Sequence, residues 1–293
     1  AEAWITAKSI SDEAKRVMAL CTLTKYISVE ERTKTLLGAI NYAQSVTEPY
    51  WRCLVMCDLA ENLSPQEQVI VLEKALISAR LIVEPSQCVQ ALSSVAKLLS
   101  LEKRYVILNE ALGIAQNISF EARRVDAVDS IISSLSPDDD KLNNRILKLI
   151  RRQESKHYCT ENLASIAKLL TKKQQATIWM EAWLTANAIH NHNQRGLALS
   201  YVAASMNTDM PTAWLNQALN AAYDITDEYI RVEALSRLIP LLPLEEGYPI
   251  FLEALSLSCS FDMPELTIDA LCCLAEIVPP QAIKAGLDLL NKC

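Results

Sequence analysis

Residues 218–243 read ALNAAYDITDEYIRVEALSRLIPLLP, and two apolar ladders inside this stretch decide the fold. Ala218, Ala222 and Ile225 stand at offsets 0, 4 and 7, which share one face of a helix. Leu235, Leu238 and Leu242 follow at offsets 17, 20 and 24 and define a second face of the same period. Between them, Thr226-Asp227-Glu228 offers short side chains that accept hydrogen bonds from the exposed N–H groups of a helix start. Pro243 comes where a helix cannot continue. The stretch therefore predicts helix, turn, helix, turn.

Laid along the chain, the pattern fits eight times. Its anchors are Ala3, Ala39, Ala75, Ala111, Ile146, Ala182, Ala218 and Ala254, spaced by 36 residues except for one interval of 35. The position at offset 20 is Leu23, Leu59, Val95, Ile131, Ile166, Val202, Leu238 and Leu274. Narrow alanines let a neighbouring helix approach closely, and a lone hairpin cannot cover both of its apolar faces, so neighbours must stack. The expectation is an all-α fold: a right-handed alpha-alpha superhelix, or solenoid, of about eight 36-residue helix-turn-helix repeats forming one domain over residues 1–293. Both chain ends fall inside a first helix without a polar capping unit, which predicts a piece of a longer repeat protein.

The set Ala218-Leu219, Ala222, Ile225, Asp227-Glu228, Arg231, Ala234-Leu235, Leu238 and Leu242-Pro243 resembles the tetratricopeptide and Sel1 class of helical-hairpin repeats. In spacing it is most similar to 36-residue repeats of bacterial multidomain signalling proteins. The tetratricopeptide signature of an early Trp, a Leu-Gly pair and a Tyr is not reproduced in register, so that family's peptide-binding positions do not transfer. The resemblance implies an interaction or sensing module and names no ligand.

Composition agrees with helices. Hydrophobic residues make up 51% of the chain and only 5 of its 293 residues are Gly, which leaves little for phosphate-cradling loops. No apolar run reaches the length of a membrane span, so a soluble, cytoplasmic protein is expected. The net charge of −7 argues against nucleic-acid or anionic-membrane binding by the surface as a whole. Nine cysteines without a C-x-x-C pair read as small thiols in a reducing compartment, and Cys21, Cys57 and Cys272 share one repeat position.

Several features invite chemistry. Arg16, Arg52, Arg124, Arg195 and Arg231 recur thirteen residues past their anchors, replaced by Cys88, Cys159 and Thr267 elsewhere. An arginine ladder suits phosphates or acidic partners, but at this position each arginine is expected to pair locally or to satisfy carbonyls of the adjacent helix end. His190 and His192 lie in an intra-hairpin turn and lack a carboxylate or thiolate at ligand spacing, so no metal is expected. Cys159 near His157 has no orienting third group, no nucleotide or hydrolase motif is present, and neither catalysis nor a cofactor is expected.

The fifth repeat departs from the pattern. It carries the single deletion, and residues 141–173 hold nine Lys or Arg against two Glu in a chain of net charge −7. Lys141, Arg145, Lys148 and Arg152 form one stripe opposite Leu142, Ile146, Leu149 and Ile150. Trp179, Trp183 and Trp214 follow on the first helices of the next two repeats, as enlarged core or as interface anchors. These seven residues are the candidate partner-binding set. The function expected is a non-catalytic protein-interaction scaffold or sensor holding a protein or peptide of acidic character. The alternative is nucleic-acid backbone binding through the fifth repeat, against which stands the lack of aromatics interleaved with the stripe.

Overall fold

The computed structural model describes residues 2–12, 15, 16, 19, 22, 23, 40, 43–136, 140–206, 210–261, 264–275 and 277. Among them the chain is all-helical, with no strand. It divides into two compact units, Ala1–Leu149 and Ile150–Cys293.

In the first unit, α1 (Glu2–Ser9), α2 (Pro49–Ala60), α3 (Pro65–Arg80), α4 (Pro85–Lys97), α5 (Leu101–Ala115) and α6 (Glu121–Ile132) follow in order, and α7 (Asp140–Ile150) runs to its end. The second unit holds α8 (Lys156–Ala167), α9 (Lys172–Asn187), α10 (His192–Met206), α11 (Thr212–Tyr223), α12 (Glu228–Leu238), α13 (Leu244–Ser258) and α14 (Pro264–Ala275). A 3-10 turn, Ile239–Leu241, extends α12. From α3 onward the odd-numbered helices carry the anchors and the even-numbered ones the leucine ladder.

Local chemistry explains the boundaries. Proline opens α2, α3, α4 and α14, because its fixed φ suits the first helical position and its missing N–H would find no partner there. Pro65 and Pro243 thus mark the beginning of the next first helix as much as the end of the preceding one; Pro137 lies outside the described residues. The Ser64 N–H donates to the Glu67 carboxylate at 3.1 Å, and Asp227 accepts from the Ile230 N–H at 3.0 Å. Asp227 therefore acts as the cap its sequence context suggests, and Ser64 starts α3 through its bonds to Glu67.

Packing follows the two ladders within each unit. Ala75, Ala111, Ile146, Ala182, Ala218 and Ala254 have no exposed surface, and Leu59, Val95, Ile131, Ile166, Val202 and Leu238 are equally closed. Second helices pack on the first helices that follow them, α2 on α3, α4 on α5, α8 on α9, α10 on α11 and α12 on α13, and directly on the next second helix: α2 on α4 and α4 on α6, then α8 on α10, α10 on α12 and α12 on α14. A tight contact lies at Gly196 of α10, where an added Cβ would overlap the Ala221 carbonyl oxygen and lie 2.7 Å from Ile225 Cγ1.

Candidate functional site

The predicted basic stripe starts on α7, whose Leu142, Ile146 and Ile150 are fully buried. That burial turns Lys141, Arg145 and Lys148 outward, and all three are exposed. Arg145 donates to Asn109 of α5, while neither lysine has an ion-pair partner among the described residues. Arg152 stands past the helix end, exposed in the turn that begins the second unit.

The tryptophans take different positions. Trp179 and Trp183 are buried on α9, at 7% and 4% exposure, which leaves a partner no access to them. Trp183 stacks on half-buried Trp214 of α11, with ring centroids 4.5 Å apart and planes within 7°. The pair joins successive first helices, so its aromatic area serves packing between repeats.

The same seam contains a relation that the apolar pattern did not reveal. The residue five past one anchor meets the residue just before the next anchor. Arg80 holds Glu110 at 2.9 and 2.7 Å, and Arg151 holds Glu181 at 2.7 Å through two donors. In the later repeats Gln217 donates to Asn187 at 2.6 Å, and Tyr223 donates to Glu253 at 3.3 Å. A constant spacing of 30 residues was the available signal, but the chemistry changes from ion pair to amide pair to phenol and carboxylate. Exposed as they are, the two ion pairs contribute about 0.5 kcal/mol each and act mainly as register pins.

Four of the five recurrent arginines close their turns. Arg52, Arg124 and Arg195 each donate from Nη1 to the carbonyl six residues earlier, at 2.9, 2.9 and 3.4 Å, and Arg231 reaches Ile225 O from Nε and Nη2 at 2.9 and 2.7 Å. Of the two outcomes anticipated, local pairing and carbonyl capping, these four arginines take the carbonyls at the end of the first helix. The charge is thereby consumed in closing the turn. Where cysteine replaces arginine, the Cys88 thiol donates to Ala79 O at 3.4 Å, and burial pushes the Cys159 thiol up to about 11. A thiol so placed is a poor nucleophile at neutral pH, and His157 faces Glu161 at 3.7 Å.

The His190–Asn193 turn is occupied by capping. Asn191 accepts from the Gln194 N–H at 3.0 Å, and Asn193 accepts from the Thr226 N–H at 2.9 Å. His192 Nδ1 faces the Arg195 guanidinium at 3.1 Å, a cation that opposes a metal ion at that nitrogen. The cysteines are less uniform than their spacing suggests: Cys57 is buried, Cys272 at the equivalent position is exposed, and Cys259 is disulfide-bonded.

Across the second helices of the second unit runs a polar row at one repeat position, formed by Ser165, Tyr201, Arg237 and Cys273. Ser165 and the Tyr201 hydroxyl lie 2.7 Å apart, and the Arg237 guanidinium lies 5.5 Å from the Tyr201 ring centroid. Lys168 Nζ approaches the same ring at 5.8 Å, and lost hydration pulls its pKa down. Beyond Arg237 a cavity of about 400 Å³ opens among α10, α12 and α14.

No family model and no curated protein matches the chain. Among solved structures it is similar to that of Ton1535 from Thermococcus onnurineus NA1, with a TM-score of 0.41 and 15% identity over 94% of this chain and 95% of that one. A likeness of that degree carries no argument about function. Among the described residues no helix is long and apolar enough to cross a membrane.

Proposed function

We propose that this chain is a non-catalytic interaction module, a tetratricopeptide-like right-handed solenoid of 36-residue hairpins, that docks an acidic segment of a protein partner on the outer face of α7. The observation carrying the reading is the pairing state of its cations. Lys141 and Lys148 project from a helix whose opposite face is fully buried, and no carboxylate pairs with either among the described residues. The recurrent arginines, by contrast, have their charge tied to turn carbonyls. Unpaired exposed cations steer an acidic surface and lose that attraction as salt screens it. Burial takes Trp179 and Trp183 out of the docking surface, and Trp214 is half-buried in its stack with Trp183. The cytoplasm is the compartment this reading assigns, supported by the buried thiols Cys53, Cys57, Cys88 and Cys159, with the disulfide at Cys259 standing against it.

The test is affinity capture with the wild-type chain and a Lys141→Glu/Lys148→Glu variant, each washed across a salt series. A protein that binds the wild type, elutes with salt and drops about tenfold on the variant is expected. Equal capture by both baits overturns the reading. A gel shift of duplex DNA that weakens steeply with salt on the same variant pair would move the assignment to nucleic-acid backbone binding.

A further inference from the structure

The cavity of about 400 Å³ in the second unit has an unusual wall. Glu233 and Arg237 sit side by side on α12, joined at 2.8 Å, with only 31% and 26% of their side chains exposed. Arg237 is held from behind by the Tyr201 ring, which Ser165 fixes in turn. Among the described residues only one of the five guanidinium hydrogens, on Nη2, has an acceptor, and Nη1 is buried without a partner. The remaining wall is largely apolar, built from Ala204, Pro240, Leu241 and Ile277.

A fixed positive and a fixed negative group next to each other discriminate by charge pattern. A simple anion attracted by Arg237 meets Glu233, and a simple cation attracted by Glu233 meets Arg237. A molecule carrying both charges on neighbouring atoms satisfies both, with its carboxylate toward the guanidinium and its ammonium toward the second carboxylate oxygen. An apolar body then removes the aliphatic wall from water, contributing roughly 25 cal/mol per Å² buried. We propose that this cavity binds a small zwitterion with an apolar side chain, a free α-amino acid of the leucine type. The site uses residues in the other unit from those of the docking surface, so either proposal can fail without the other.

Cys273 lines the same cavity with an exposed thiol, whereas Cys272 is exposed outside it. In a Cys272→Ser background, leucine is expected to raise the melting temperature. At about ten times its Kd it should slow alkylation of Cys273 by iodoacetamide about tenfold. 4-Methylpentanoate, which lacks the ammonium, and 3-methylbutylamine, which lacks the carboxylate, should do neither. Glu233→Gln and Arg237→Lys should each abolish the leucine effects, with circular dichroism confirming the helical fold; the two substitutions remove one charge pattern by different routes, so one folded variant suffices. Absence of both leucine effects, or equal protection by 4-methylpentanoate, overturns the proposal.

Discussion

The turn joining α11 to α12 and the turn joining α7 to α8 occupy the same place in the 36-residue unit, yet they are closed by different chemistry. In the former, buried Ile225 presents its carbonyl to two donors of Arg231 at 2.9 and 2.7 Å. In the latter, Gln153 replaces the isoleucine and Cys159 the arginine, and both polar atoms of the buried Gln153 amide are without a partner. The backbone is nevertheless the same: Ile225 N–H donates to Ala222 O at 3.2 Å and Gln153 N–H to Ile150 O at 3.0 Å. The comparison shows that the apolar ladders and the backbone turn specify the hairpin, while the arginine adds stability to a turn that already forms.

The most damaging way to disturb the well-closed turn is from the helix packed on it. Gly196 of α10 lies against Ala221 and Ile225, and even one methyl group there would push on Ile225 Cγ1 from 2.7 Å. Gly196→Ala gains helix propensity of about 1 kcal/mol but forces α10 and α11 apart along a tightly packed contact. A net loss of about 3 kcal/mol is expected in urea unfolding. An unchanged midpoint would show that the two helices move apart freely.

Removing the cap itself should do less. Arg231→Met keeps much of the aliphatic stem and deletes two charge-assisted bonds to a buried carbonyl, for an expected loss of about 2 kcal/mol. Arg195→Met deletes one carbonyl bond of 3.4 Å and an exposed contact with His192 at 3.1 Å, and should lose about 1 kcal/mol. Equal losses at the two sites, read from paired thermal melts, would show that stem packing rather than carbonyl capping sets the effect.

These differences mark how far the sequence could be read. The anchor and leucine ladders were legible because burial demands one property, apolar size, at a fixed period, and Ala75, Ala182, Leu59 and Val202 all have no exposed surface. The arginine was legible as a turn element, but which of its two local partners it takes was not, because a neighbouring carboxylate and the carbonyl of the preceding helix end both suit a guanidinium. The pairs along the first-helix seam were hidden, since Arg80–Glu110 and Tyr223–Glu253 share a geometry but no residue type. Trp183 stands at the phase of Leu112 and Leu219 and so read more readily as core than as anchor; its burial and its stacking on Trp214 show that it packs between repeats. The row through Ser165, Tyr201 and Arg237 was invisible for a like reason: each position looks ordinary until the repeat stacks them.

An effect of similar small size tests the open turn from the other side. Gln153 is buried at 8% exposure, and its amide finds no hydrogen-bond partner there. Burying a polar amide unpaired costs about 1–3 kcal/mol, part of which relaxation and water recover. Gln153→Ile restores the residue type of the other turns, removes that cost and keeps the volume close, so stability should rise by about 1 kcal/mol. Adding Cys159→Arg then supplies the absent donor to the carbonyl of residue 153. If the cap is transferable between repeats, the double variant gains more than the single one. If it is not, the added guanidinium is buried without an acceptor and the gain is lost. Either result from a denaturant titration of the two variants would tell whether the arginine and the apolar turn residue act as one device.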